Sequence, residues 1–134
     1  MSKKVNRRNS ADALLTVTKA LPAAAANNDT DEIYIGPVGP HREKMKLRAS
    51  WPANSVLVAT KLLTLTLKSG ATGALAAETD PTATYVITGD TGFAAGYVDF
   101  ELGQNVGEYV AVNQAVETGG GSNIATEFTY TLVS

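Results

Sequence analysis

Through most of this chain apolar and polar residues trade places at every second position, and glycine, proline or an Asn/Asp cluster breaks the alternation every few residues. A period of two puts successive side chains on opposite faces of an extended strand, whereas a helix needs apolar residues three and four apart. Residues 45–51 set Met45, Leu47, Ala49 and Trp51 against Lys46, Arg48 and Ser50, and Pro52 stops the run. Residues 97–102 set Val98, Phe100 and Leu102 against Asp99 and Glu101. Residues 107–117 place Val110, Val112 and Val116 on one face, and residues 124–133 align Ile124, Phe128, Tyr130 and Leu132. Shorter strands are predicted over 14–20, over 32–36 with Ile33 and Ile35 together, and over 84–88.

The longest run, 56–68, puts Leu57, Leu63, Leu65 and Leu67 on one parity and Thr60, Thr64 and Thr66 on the other. Such a length suggests a strand that bends or crosses between two sheets. Between the runs, 23–31 is predicted as a loop and 36–40 as a breaker with two prolines. Residues 74–79 could form one short helical turn, and Gly119-Gly120-Gly121-Ser122 is predicted as the hairpin loop joining the last two strands. With no long helix-period segment, the fold class is all-β. About eight antiparallel strands in a chain this size imply a two-sheet sandwich of jelly-roll or related topology.

The 134 residues suit one domain, and the commonest types, 20 Ala and 16 Thr with 12 Gly, leave little for chemistry. There is no cysteine and a single histidine, His41. A disulfide scaffold, a zinc knuckle and a thiol nucleophile are therefore excluded, and a histidine metal site or Ser–His–Asp catalysis is short of material. No cofactor, metal or catalytic residue is expected.

The net charge of −2 conceals an asymmetry: residues 1–50 carry nine Lys/Arg against five Asp/Glu, and residues 51–134 carry two against eight. No Lys or Arg follows Lys68. Open sheet edges are ordinarily guarded by charge, lysine above all. The lysine-free stretch suggests edges covered by other protein, although Asp and Glu could guard them equally. Residues 1–12 hold Lys3, Lys4, Arg7 and Arg8 and one aliphatic of any size, Val5. They are predicted as a flexible basic arm ahead of a single β-sandwich domain over 13–134. Such an arm binds an anionic surface or remains a solvated tail. An acidic body and a lack of interleaved aromatics argue against nucleic acid as the partner. A basic start, an apolar stretch over 13–21 and Ala23–Ala26 loosely mimic a secretory leader, but Asp12, Lys19 and the Thr/Leu alternation interrupt it. No apolar run approaches the ~20 residues of a membrane span, so no membrane partner is expected.

Four motifs invite chemistry. Asp90-Thr91-Gly92 is the triplet of aspartic proteases, but Thr88-Gly89 separates it from Val86-Ile87, and Gly-Asp-Thr-Gly equally suits a β-turn. Gly119–Ser122 lacks the Lys-Ser/Thr and following helix of a phosphate loop. Asp29, Asp31 and Glu32 offer too few oxygens for calcium. Asn28-Asp29-Thr30 fits the glycosylation pattern, which matters only in a secreted protein. More telling are Arg42, Lys46, Arg48 and Trp51, which with the arm residues Lys3, Lys4, Arg7 and Arg8 are the candidate partner-binding set. Buried, Trp51 anchors the core; exposed beside the basic stripe it anchors an interface, where aromatics and Arg dominate. A carbohydrate-binding sandwich would use the same ring as a stacking platform, with tyrosines such as Tyr34 assisting.

A basic start leading into TVTKALPAAAANNDTDEIYIGP, an alternating Leu/Thr strand, and a close in GEYVAVNQAVETGGGSNIATEFTYTLVS form one pattern along most of the chain. In this the chain resembles the small jelly-roll decoration (cement) proteins of tailed bacteriophages. The resemblance implies a virion protein, made in the host cytoplasm, that sits on the outer surface of an icosahedral head. Its partner would be the major capsid protein, whose neighbouring copies it clamps, as a homo-oligomer (dimer or trimer). It implies no catalytic residues. A carbohydrate-binding β-sandwich on a surface or secreted protein is the alternative.

Overall fold

The computed structural model describes residues 16–37, 39–71, 75, 82–103 and 106–133. The arm predicted over 1–12 and the helical turn predicted over 74–79, Leu75 apart, lie outside these residues, and His41 is described by its backbone alone. Nine strands are seen among these residues: β1 (Thr16–Ala20), β2 (Ala26–Asp29), β3 (Ile33–Tyr34), β4 (Lys46–Trp51), β5 (Leu62–Gly70), β6 (Ala83–Thr88), β7 (Gly96–Glu101), β8 (Tyr109–Val116) and β9 (Glu127–Val133). A 3-10 helix, Pro40–Lys44, precedes β4. No helix among the described residues is long and apolar enough to cross a membrane.

All pairings are antiparallel, in two sheets. One runs β1-β9-β4-β7; the other runs β2-β8-β5-β6, with β3 also on the free side of β8. Taking β2 and β3 as one interrupted strand, the chain pairs first with last and then inward in order: β1 with β9, β2/β3 with β8, β4 with β7, β5 with β6. The pairs β4·β9 and β5·β8 then fold this long nested hairpin into two layers. The inward parities fill the space between the layers. Leu47, Ala49, Phe100, Phe128, Tyr130 and Leu132 of one sheet meet Ile33, Leu63, Leu65, Leu67, Ile87, Val110, Val112 and Val116 of the other, all buried.

Three local expectations are corrected. The 56–68 run is not one strand: 52–61 is a loop and β5 starts at Leu62. Asn54 explains this, because its Oδ1 accepts the N–H groups of Val56 (2.8 Å) and Leu57 (2.9 Å), bending the chain away from any ladder. Leu57 still reaches the core. The 23–31 loop contains β2, a strand without apolar alternation whose second half faces polar partners: Asn28 lies opposite Gln114 and Asp29 opposite Asn113. Finally, Gly119–Ser122 is not a hairpin loop, since β8 and β9 lie in different sheets. It is a crossover pinned in place: Val58 N–H donates to the Gly120 carbonyl, and Asn123 Nδ2 to those of Gly120 and Gly121. Ile124, expected inward, is exposed on it.

The open sides of the sandwich are closed by different chemistry. On the β1/β2 side the Ala20 carbonyl accepts from Asn28 Nδ2 (3.0 Å) and Gln114 Nε2 (3.1 Å), and the Tyr130 hydroxyl donates to Gln114 Oε1. Burial raises the Tyr130 phenol well above its ordinary range. Towards β6 the closure is aromatic: the Trp51 ring lies 5.2 Å from Phe128 and 6.0 Å from Tyr85, with Phe93 edge-on to Phe128.

Candidate interaction surface

The outer face of the four-stranded sheet gathers two of the predicted residues. Because Leu47 and Ala49 face the core, β4 turns Lys46, Arg48 and Ser50 outward. By the same parity β7 turns out Tyr97, Asp99 and Glu101, and β9 turns out Thr129. The β4·β7 register sets Arg48 opposite Asp99 and Lys46 opposite Glu101. Arg48 grips Asp99 with both prongs, Nε to Oδ1 at 2.8 Å and Nη2 to Oδ2 at 3.0 Å. Its guanidinium carbon also lies 4.3 Å from the centre of the Tyr97 ring. The hydrogen bonds hold the Asp99 carboxyl below its usual range and raise Arg48 further above its own, while partial burial opposes both shifts. An exposed pair of this kind adds only ~0–1 kcal/mol to stability. Its effect is order: two flexible side chains and a ring 59% exposed are fixed in one arrangement. Ser50, whose Oγ donates to the Thr129 carbonyl (3.4 Å), lies next to Tyr97 in the same row.

Arg42, predicted to bind a partner, is instead completely buried. Its Nη1 donates to the carbonyls of Val106 (2.8 Å) and Gly103 (3.2 Å), and its Nη2 to those of Gly36 (2.7 Å) and Gly107 (3.1 Å). The 3-10 helix swings it inward, so that a cation stitches the chain after β3 to the β7–β8 crossover. Trp51 packs against the core. On β4 it has the parity of the core, opposite to Lys46 and Arg48, so no continuous basic-aromatic stripe exists. The half-buried indole stacks on Phe128 and donates its N–H to the Ala94 carbonyl (3.1 Å). Lys3, Lys4, Arg7 and Arg8 lie outside the described residues.

The remaining motifs resolve into local structure. Asp90-Thr91-Gly92 is a tight turn: Thr91 and Gly92 have φ of 55° and 94°, and Gly92 N–H donates to the Leu57 carbonyl (2.7 Å). A Cβ on Gly92 would sit 1.9 Å from the Asn54 carbonyl oxygen, so the triplet's glycine is required by packing. In the acidic turn Asp29 pairs with Lys68 (3.1 Å) and Glu32 Oε2 accepts from the Leu75 N–H (3.1 Å). Asp29, Asp31 and Glu32 line a shallow pocket with Thr30, Leu75 and Ala111, and among the described residues no three acidic or histidine side chains converge to hold a metal. Asn28, of the glycosylation pattern, spends its amide within the fold.

Sequence reasoning did not single out Tyr97 as a site residue. Its parity with Asp99 and Glu101 was the available signal, but its contact with Arg48 depends on strands about fifty residues apart. Models of known protein families match no part of the chain, and no curated protein matches its sequence.

Proposed function

We propose that the protein is a capsid decoration subunit, a non-enzymatic virion protein that binds the outside of a tailed-phage head. There it stabilises contacts between neighbouring major capsid proteins and works as a small homo-oligomer. The observation that carries this reading is the preset surface of Tyr97, Arg48 and Asp99: an exposed ring and guanidinium already held by neighbours lose little freedom on docking, and these are the residue types that dominate interface energetics. The nested strand order supports the jelly-roll form of the sandwich, a rigid body suited to repetition by symmetry. The basic residues Lys3, Lys4, Arg7 and Arg8 supply a second, electrostatic attachment, and two weak contacts on one lattice reinforce each other through effective concentration.

The test is co-sedimentation of the purified protein with phage heads lacking it. Tyr97→Ala should weaken attachment by roughly tenfold or more, as expected for a central aromatic contact. Deleting residues 1–10 should weaken it further and reduce its salt sensitivity. Attachment unaffected by either change would refute the reading. The same ring beside Ser50 and Thr129 also favours a second reading, a carbohydrate-stacking platform. A glycan array bound by the wild type and lost with Tyr97→Ala would establish that alternative.

A further inference from the structure

Among the described residues each sheet ends in strands with no further strand beyond them, and these edges differ in charge. β1 carries Lys19, which lies opposite Phe128 and so takes the inward parity, an arrangement that discourages further pairing. β7 carries Asp99 and Glu101, and β2 carries Asp29. β6, with the sequence ATYVIT, carries no charge at all. It contains neither proline nor a residue with positive φ, and among the described residues no strand lies on its far side.

Its geometry is set firmly from beneath. Ile87 is buried in the core and Tyr85 lies against Trp51. Gly89 N–H donates to the Lys61 carbonyl (2.8 Å), which fixes the phase of the ladder: odd-numbered residues bond β5, and the peptide groups of Thr84, Val86 and Thr88 point away. On the outer face those three side chains continue a row of Thr66, Thr64 and Leu62 on β5, with Val86 and Leu62 exposed.

We infer that β6 is a self-pairing edge, at which two copies of the chain join antiparallel about a two-fold axis at Val86. The inference rests on the oligomeric part of the proposed function and is independent of the capsid. A second copy is the occupant because a two-fold axis sets each strand position against its own image. Val86 then meets Val86 and Thr84 meets Thr88, with no like charges opposed; β7 in the same arrangement would bring carboxylates together. Six residues at ~3.3 Å span about 20 Å. Such a strip buries roughly 300–400 Å² per partner, about half of what a stable complex needs. The free dimer is accordingly weak, and it tightens where copies are concentrated on a surface.

Sedimentation of the full chain at up to ~1 mM should show a monomer–dimer equilibrium with a Kd on the order of 10⁻⁵–10⁻³ M, the range of sub-standard interfaces. The chain has no cysteine, so Val86→Cys takes a single nitroxide. Its spectrum should broaden with concentration, as α-carbons ~5.5 Å apart in a bonded antiparallel pair require. The same label at Thr18→Cys, on the β1 edge, should not broaden. Val86→Lys should raise the Kd at least about tenfold with an unchanged melting midpoint, since lysine is well suited to an edge strand. Thr84→Lys serves the same purpose should Val86→Lys fail to fold. A monomer at ~1 mM, a dimer insensitive to the lysine variants, or a dimer without broadening at Val86 would each overturn the inference. None of these results depends on attachment to heads, so the two proposals fail separately.

Discussion

Replacing Arg42 with methionine is the sharpest test of how the chain is held at one end of the sandwich. Methionine fills much of the volume and removes every donor. Four carbonyls, on Gly36, Gly103, Val106 and Gly107, then lose a charged partner. The Val106 bond is fully buried, so its carbonyl cannot turn to water, and losing a hydrogen bond to a charged group costs ~1.5–3 kcal/mol. The other three bonds are part-buried; water replaces them in part, which leaves several tenths of a kcal/mol apiece. Removing the cation also relieves its own desolvation, which no carboxylate offsets by a described salt bridge. The net expectation is a loss of about 3 kcal/mol, a large share of the 5–15 kcal/mol that stabilises a typical domain.

With ~2.1 cal/mol/K of unfolding entropy per residue, that loss lowers the Tm of a 134-residue chain by roughly 10 °C. Urea unfolding should show the midpoint moving with the slope m unchanged. Arg42→Lys should recover only a minor part, because one ammonium cannot reproduce two prongs aimed at four acceptors. Methionine tolerated within ~1 kcal/mol would show that the four bonds do not hold this end of the sandwich, as would normal stability combined with lost partner binding, the signature of a surface arginine.

Asn54→Ala removes the acceptor for the Val56 and Leu57 N–H groups and the donor to Asn123 and Thr126, so it should cost ~2–3 kcal/mol and speed amide exchange at Leu57 in particular. Equal exchange in both proteins would show that the 52–61 loop holds itself. At alkaline pH, Tyr130 should govern stability. Its folded value is raised, so its contribution is complete below the unfolded value near 10 and is lost as pH rises above it, by up to ~1.4 kcal/mol per unit. Tyr130→Phe, which costs the bond to Gln114 at neutral pH, should flatten that alkaline limb in a pH series of melts; an unchanged slope would mean the phenol ionises in place.

The strands that could be read from sequence are those whose neighbours are apolar. Leu47 and Ala49, Leu63, Leu65 and Leu67, and Phe128, Tyr130 and Leu132 all face inward as their alternation requires. What could not be read depends on partners distant in the chain. β2 is a strand because Asn27 and Asp29 bond Asn113, and Gln114 occupies an apolar row because Asn28 and Tyr130 complete its hydrogen bonds. Arg42 looks like any loop cation until the carbonyls more than sixty residues later close around it. For the candidate surface, parity put Lys46 and Arg48 on one face and Tyr97 with Asp99 on one face. That these are the same face follows only from the β4·β7 register, which has no local signal.

The two open sides of the sandwich therefore differ in what they permit. The β1/β2 side is closed by directed bonds: Ala20 accepts from two amides, Asn28 both gives and accepts, and a displacement of either strand would leave buried polar groups unpaired. That closure fixes the register of the two sheets but binds the edge to its own interior. The β6 side is closed by rings, which need area and not alignment, so Tyr85 and Trp51 can hold the layers together without using the peptide groups of β6. With Lys19 guarding β1 and carboxylates guarding β7, growth by strand addition is steered to one edge of one sheet. Of the two edge strands that follow Lys68, where lysine and arginine cease, β7 keeps its carboxylates and β6 alone is left without a charge.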